Sequence, residues 1–420
     1  MLLKKLRYNR YYVLNNKKNS RREEEYLDFS ANTSPLGVHK EASKALLALS
    51  LDPSILASYP DPNCTDLKLA LSKFWNFNGQ ILCGSGAADL TQLISVVFGK
   101  NPSGTSFNLI IEPAFSEYEN SLLMASPEEK ILHLTLKEEN DFKFTEEDFE
   151  HLEKILSGGV PLVFMASPSN PAGTVIPLEM LKKIASACEK SNTVLVLDSC
   201  FCQFSKEAEK NVRALIAESE KYPHLIILNA FTKIYGMAGL RLGYALCFSS
   251  TTYNHLVNFM RPWTISTDAQ ATGTAVINSE LNGTPWQNKM IELVSKERKI
   301  LSDYFISVGA KVLSGEANYI LVKLPPHLQK KASQFATKGT TNQEKQGHNG
   351  PKKQIPADND NNKNLVTPFD APLCQALALS KIVIRGCSDF YGMDSSWYRI
   401  SVNNHEQNQK LLSSLKEIFK

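Results

Sequence analysis

Lys233 and Arg241 stand eight positions apart in the stretch TKIYGMAGLRLGY, residues 232 to 244. A loop lysine followed by an arginine among glycines suits an amine that forms an imine and a guanidinium that holds a phosphate. Three fragments upstream bring what such an imine would need: GSGAAD (84 to 89), SPSNPAG (167 to 173) and VLVLD ending at Asp198. Asp198 closes an apolar run, where a carboxylate is costly unless a cation pairs with it; the plainer alternative is a cap on the next turn. In GSGAAD the glycines permit close backbone approach, and the amides that follow open a helix whose positive end faces an anion. Arg385 in KIVIRG and Arg399 in WYRISV lie on strand-like segments whose alternation would aim each at one cleft, and arginine forks bind planar oxyanions.

Taken in chain order, the glycine-rich turn, an aromatic, Asn170, Asp198, Lys233 and Arg241 resemble the fold type I family of pyridoxal 5'-phosphate (PLP) enzymes, over roughly residues 27 to 420. The resemblance implies that Lys233 carries the cofactor and does the catalytic proton work. It implies that Asp198 pairs with the pyridine nitrogen, that Asn170 meets the phenolic oxygen and that Phe115 in EPAFSEYE stacks on the ring. Gly86, Ala87, Ala88, Thr232 and Arg241 are implied to hold the phosphate. Tyr59 in YPDP matches a residue lent to the neighbouring subunit's phosphate, which implies a homodimer. Arg399 matches the substrate-anchoring arginine, with Arg385 as a second anion contact and Asn32 as a residue that closes over substrate or serves a turn. The chain departs from the family pattern in reading Asp198-Ser199-Cys200 where Asp-Glu-Ala is usual, and in carrying Ala230 where Ser or Thr is common.

The reaction is left open by these residues, because the Cα bond held perpendicular to the ring is the one that breaks. The fragments DFSANTSPLG, YPDP, PAFSEYE, RPWTISTDAQ and IRGCSDFYGM look more like the threonine-phosphate decarboxylases of cobalamin synthesis than like the histidinol-phosphate aminotransferases. Phe201, three residues past Asp198, stands where some relatives place a tyrosine; the decarboxylase branch has phenylalanine there. That likeness implies a small phosphorylated amino acid as substrate, L-threonine O-3-phosphate. A histidine-bearing N-terminal element usual in those decarboxylases is missing, since residues 1 to 27 contain no histidine. An aminotransferase and a PLP-binding regulator that has lost catalysis remain the alternatives.

The elements that would position these residues follow from apolar patterning. Short apolar runs (QILCG, FNLIIE, PLVFMAS, TVLVLD, HLIILN, LGYALCF) alternate with helical segments between 80 and 250, the pattern of an α/β fold with a mostly parallel sheet covered on both faces. Ligands in such sheets sit beyond the carboxyl ends of the strands, where Asn170, Asp198 and Lys233 fall. From about 276 a long charged helix leads to KVLSG, NYILVKL, KIVIRG, WYRISV and a final helix from about 405, a smaller α+β domain. The chain of 420 residues, 43% hydrophobic, thus divides into an arm (1 to 37), a large domain (38 to 275) and a small domain (276 to 420). Residues 325 to 368, rich in Lys, Gln, Asn, Asp and Gly, read as a disordered insertion. The first 22 residues hold eight Lys or Arg and read as a solvated basic arm.

A net charge of +3 is too small to imply a nucleic-acid surface, and no apolar run is long enough to span a membrane. Eight scattered cysteines, several within apolar runs, read as buried reduced thiols of a cytoplasmic protein. Cys200 and Cys202 lack the further ligands that a metal site requires, so no metal is expected.

Overall fold

The computed structural model describes residues 26–99, 107–126, 130–345 and 369–420. Seven strands form one sheet, in the order Gln80–Gly84, Gly243–Cys247, Leu225–Ala230, Val194–Asp198, Leu162–Ala166, Asn108–Glu112 and Ile131–Thr135. Gly243–Cys247 runs against its two neighbours, and the remaining pairings are parallel. Alternate residues of each strand divide between two apolar layers: Val163, Met165, Leu195, Leu197 and Ile227 face one, Leu162, Phe164, Val196, Ile226 and Leu228 the other. Helices cover both layers. Leu178–Lys190, for example, buries Met180, Leu181, Ile184, Ala185 and Cys188 at helical spacing.

All six strands expected between 80 and 250 are present. The seventh, Ile131–Thr135, escaped the patterning argument because it is a half-buried edge strand with His133 in its middle. A second sheet, antiparallel, runs in the order Arg385–Gly386, Trp397–Ser401, Tyr319–Lys323, Lys311–Leu313. KIVIRG, expected as one strand, is two: Ile382–Val383 leaves this sheet to pair in parallel with Leu27–Asp28.

Two boundaries need correction. The division at 275/276 falls inside the helix Thr267–Leu281, where Gly273 packs closely on Leu67, Leu242 and Phe231; the next helix, Trp286–Ser307, starts on the large domain, where Trp286 donates to the Ile234 carbonyl, and then runs to the small sheet. The insertion expected to be disordered from 325 begins as a helix, Pro326–Lys345. Leu328, Ala332 and Ala336 recur every four residues and are buried, a stripe diluted in the sequence by the polar tract that follows. The remainder of that insertion, 346–368, and the basic arm, 1–25, lie outside the described residues. All eight cysteines are free thiols, and no helix among the described residues is long and apolar enough to cross a membrane.

Candidate active site

Three adjacent strands end in chemistry at their carboxyl ends: Leu162–Ala166 leads to Asn170, Val194–Asp198 ends on Asp198, and Leu225–Ala230 leads to Thr232 and Lys233. Asp198 accepts a 2.6 Å hydrogen bond from the Tyr118 hydroxyl and a 2.9 Å bond from the Cys200 amide. Tyr118 is fully buried and lies flat on Phe164, with ring centroids 5.1 Å apart. Burial and the adjacent Asp198 carboxylate hold its phenol well above the usual range, so it stays a donor. Phe115, half-buried, meets Tyr118 edge-on at 6.0 Å. Tyr118 is the residue that sequence reasoning passed over; its signal was a second aromatic three positions after Phe115, one turn along the same helix start.

Lys233 is held at about 8, down from 10.5, chiefly because burial disfavours its charge, with the Arg399 and Arg241 guanidiniums pushing the same way and Cys200 and Asp198 opposing. Its Nζ stands 5.8 Å from the centre of the Phe201 ring.

Of the phosphate candidates, Gly86, Ala87, Ala88 and Arg241 meet at one helix end. Gly86, with φ at +86°, precedes Ala87–Phe98, and no side chain caps that helix's amides. A Cβ on Gly86 would come within 2.8 Å of Arg241 Nη2, so the guanidinium lies directly over the turn. Gly243 packs equally closely: a Cβ there would stand 2.6 Å from the Ala87 nitrogen. Arg241 itself is in the left-handed region, at φ +53°, a conformation that an arginine holds at an energetic cost. A cation beside the positive end of a helix is unfavourable unless an anion lies between them. The geometry therefore fits a bound phosphate.

Arg385 and Arg399 are register partners on neighbouring antiparallel strands, so their side chains leave the sheet on the same face. Arg399, 8% exposed, donates to Asn170 Oδ1 and to the Ser30 carbonyl, each at 2.6 Å, with its guanidinium 5.6 Å from the Tyr319 ring centre. Tyr319 in turn donates to the Ser169 carbonyl. Arg399 thus joins the small sheet, the Asn170 turn and the segment after Leu27–Asp28. Arg385 donates to the Gly386 carbonyl at 2.9 Å and to Asp389 at 2.7 Å. Asn32 is 2% exposed and accepts from the Ser401 hydroxyl at 2.9 Å, which ties it to the strand bearing Arg399. Tyr59 is the exception to this gathering: its ring is 78% exposed and stacks on Trp263 at 4.5 Å.

A buried lysine of depressed pKa, a strand-end aspartate and an uncapped glycine turn beneath an arginine fit a PLP-dependent enzyme. The chain belongs to the aminotransferase class I and II family, whose model matches residues 24–415. It is similar to the threonine-phosphate decarboxylase of Salmonella typhimurium (strain LT2), 26% identical over 398 residues that cover 94% of this chain and 92% of that protein. It is similar as well to the histidinol-phosphate aminotransferase of Ruminiclostridium cellulolyticum, 28% identical over 300 residues, 71% of this chain and 78% of that one. Among solved structures, the histidinol-phosphate aminotransferase of Sinorhizobium meliloti in complex with pyridoxal-5'-phosphate superposes with a TM-score of 0.72 at 18% identity, covering 97% of this chain and 94% of that one. The family's cofactor is pyridoxal 5'-phosphate, and the uncapped helix end beneath Arg241 fits it.

Proposed function

We propose that this chain decarboxylates L-threonine O-3-phosphate to (R)-1-amino-2-propanol O-2-phosphate, a step of cobalamin synthesis. The observation that carries this reading is the cross-strand pairing of Arg385 with Arg399, two guanidiniums on one face for a substrate bearing both a phosphate and a carboxylate. Phe201 supports it: the ring that Lys233 Nζ meets at 5.8 Å carries no hydroxyl, as in the decarboxylase branch, where some relatives have a tyrosine.

Bound in the cradle, pyridoxal phosphate supplies an aldehyde for the substrate amine and an electron-withdrawing ring next to Cα. Asp198, fixed by Tyr118 and the Cys200 amide, would pair with the ring nitrogen. Phe115 would stack on the ring, and Asn170, held by Arg399, would donate to its phenolic oxygen. Arg399 and Arg385 fix the substrate's anionic ends and so decide which Cα bond stands upright for cleavage. Lys233, with a pKa of about 8, can exist as amine or ammonium near neutral pH; as the ammonium it would deliver to Cα the proton that replaces the carboxylate once carbon dioxide has left.

On this reading the working unit is a homodimer in which Tyr59 serves the second copy's phosphate. Tyr59 and Trp263, both exposed and stacked on each other, are open to a second copy.

The second reading is a histidinol-phosphate aminotransferase, favoured by the 28% identity to the Ruminiclostridium protein. Incubating the PLP-loaded enzyme with L-threonine O-3-phosphate, with no keto acid, tests the choice. Release of carbon dioxide with an aminopropanol phosphate is expected. Absence of carbon dioxide, together with amino-group transfer from histidinol phosphate to 2-oxoglutarate, would assign the aminotransferase.

A further inference from the structure

On the small sheet Arg385 is in an ion pair with Asp389 Oδ2 at 2.7 Å, with Phe390 under its guanidinium at 5.2 Å. Asp389 is no loose surface acid. Its loop is braced on the large sheet: Tyr391 stacks on His133 with centroids 4.0 Å apart and planes within 18°, and its hydroxyl reaches Glu119 at 3.4 Å. Gly392 fits so tightly beside Thr135 that a Cβ would come within 2.9 Å of Thr135 Cγ2. The carboxylate is therefore positioned against Arg385 by contacts on the opposite sheet.

The geometry points to Asp389 as a specificity-determining residue, a resident counter-ion that any anion must displace, or oppose, to reach Arg385. This rests on reading Arg385 as an anion-binding arginine of the active site. A half-buried ion pair of this kind is weak enough to open. A free anion has to outcompete Asp389 from bulk solution. A phosphate tethered to an amino acid already fixed at its amine and carboxylate competes at a far higher effective concentration. Asp389 thereby rejects loose phosphate while admitting a phosphorylated substrate, and its influence falls on ground-state binding more than on the chemical step.

The test is an equilibrium titration of PLP-loaded enzyme with inorganic phosphate, followed by phosphorus NMR, in wild type, Asp389→Asn, Asp389→Ala and Arg385→Ala. Asparagine keeps a side-chain oxygen that can accept from Arg385 and removes the charge. Phosphate is expected to bind at least about twofold tighter to D389N, since a pair whose side chains are only 19% and 29% exposed is screened less than fully exposed pairs, and the site is expected to be lost in R385A. Tightening in D389A as well assigns the effect to charge. Unchanged or weaker binding in D389N, or phosphate binding that survives R385A, overturns the inference. The cofactor's absorbance near 420 nm reports in each variant that the enzyme is folded and loaded. Because no turnover is measured, failure to decarboxylate threonine phosphate would remove the proposed reaction and leave this result standing, and the converse holds equally.

Discussion

The lowered pKa of Lys233 makes a quantitative prediction for the apoenzyme. With a value of about 8 in place of 10.5, about a quarter of Lys233 is uncharged at pH 7.5, against about one part in a thousand for an ordinary lysine, a gain of roughly 200-fold in reactive amine. The rate at which apoenzyme captures added PLP, followed by absorbance near 420 nm, should therefore rise with pH to a plateau with its midpoint near 8. Burial is the first cause and the Arg399 charge the second, so Arg399→Gln should move the midpoint upward, toward the ordinary lysine value. Lys233→Met should show no such capture. Stability carries the same sign. A lysine whose folded-state pKa is depressed opposes folding while it is protonated; that penalty is fully present below about pH 8 and fades as pH rises toward 10.5. The stability difference between Lys233→Met and wild-type apoenzyme, from urea unfolding, should therefore narrow from pH 7 to pH 10.5, by up to about 3 kcal/mol. A capture midpoint near 10.5, or one indifferent to Arg399→Gln, would refute the placement of this amine in a desolvated, cation-flanked pocket.

Three further outcomes follow from single contacts. Tyr118→Phe removes the hydroxyl that donates to Asp198 and should weaken PLP binding about tenfold, the effect of one hydrogen bond to a charged group, in an equilibrium absorbance titration with unchanged circular dichroism. Gly86→Ala places a methyl against Arg241 at a positive φ and should both loosen PLP and lower stability by about 1–2 kcal/mol; ordinary cofactor retention by this variant would contradict the cradle. Glu297 is 1% exposed and accepts from Asn408 while meeting the His405 ring at 2.9 Å, so Glu297→Ala should destabilise the C-terminal helix by about 2–3 kcal/mol in thermal unfolding, with cofactor absorbance retained below the transition.

Much of the candidate site was legible because its residues sit at fixed offsets from apolar runs. Asp198 ends one strand, and Asn170 and Lys233 follow two others by three or four residues, so reading the strands located the residues. Strand Ile131–Thr135 and helix Pro326–Lys345 were not legible, since one is an edge with a polar centre and the other carries its apolar stripe into a polar tract.

The sequence by itself determined the class of chemistry: local turn and strand signals are short-range, and the glycine turn, the strand-end aspartate and the lysine loop each specify their own geometry within a few residues. Only the tertiary structure decided what surrounds them. Tyr118 reaches Asp198 across 80 residues, Arg399 reaches Asn170 across 229, and His133 meets the ring of Tyr391 from the other sheet. The depressed lysine and the Arg385 environment are properties of that assembly, because desolvation and long-range pairing exist only once the two sheets are packed together.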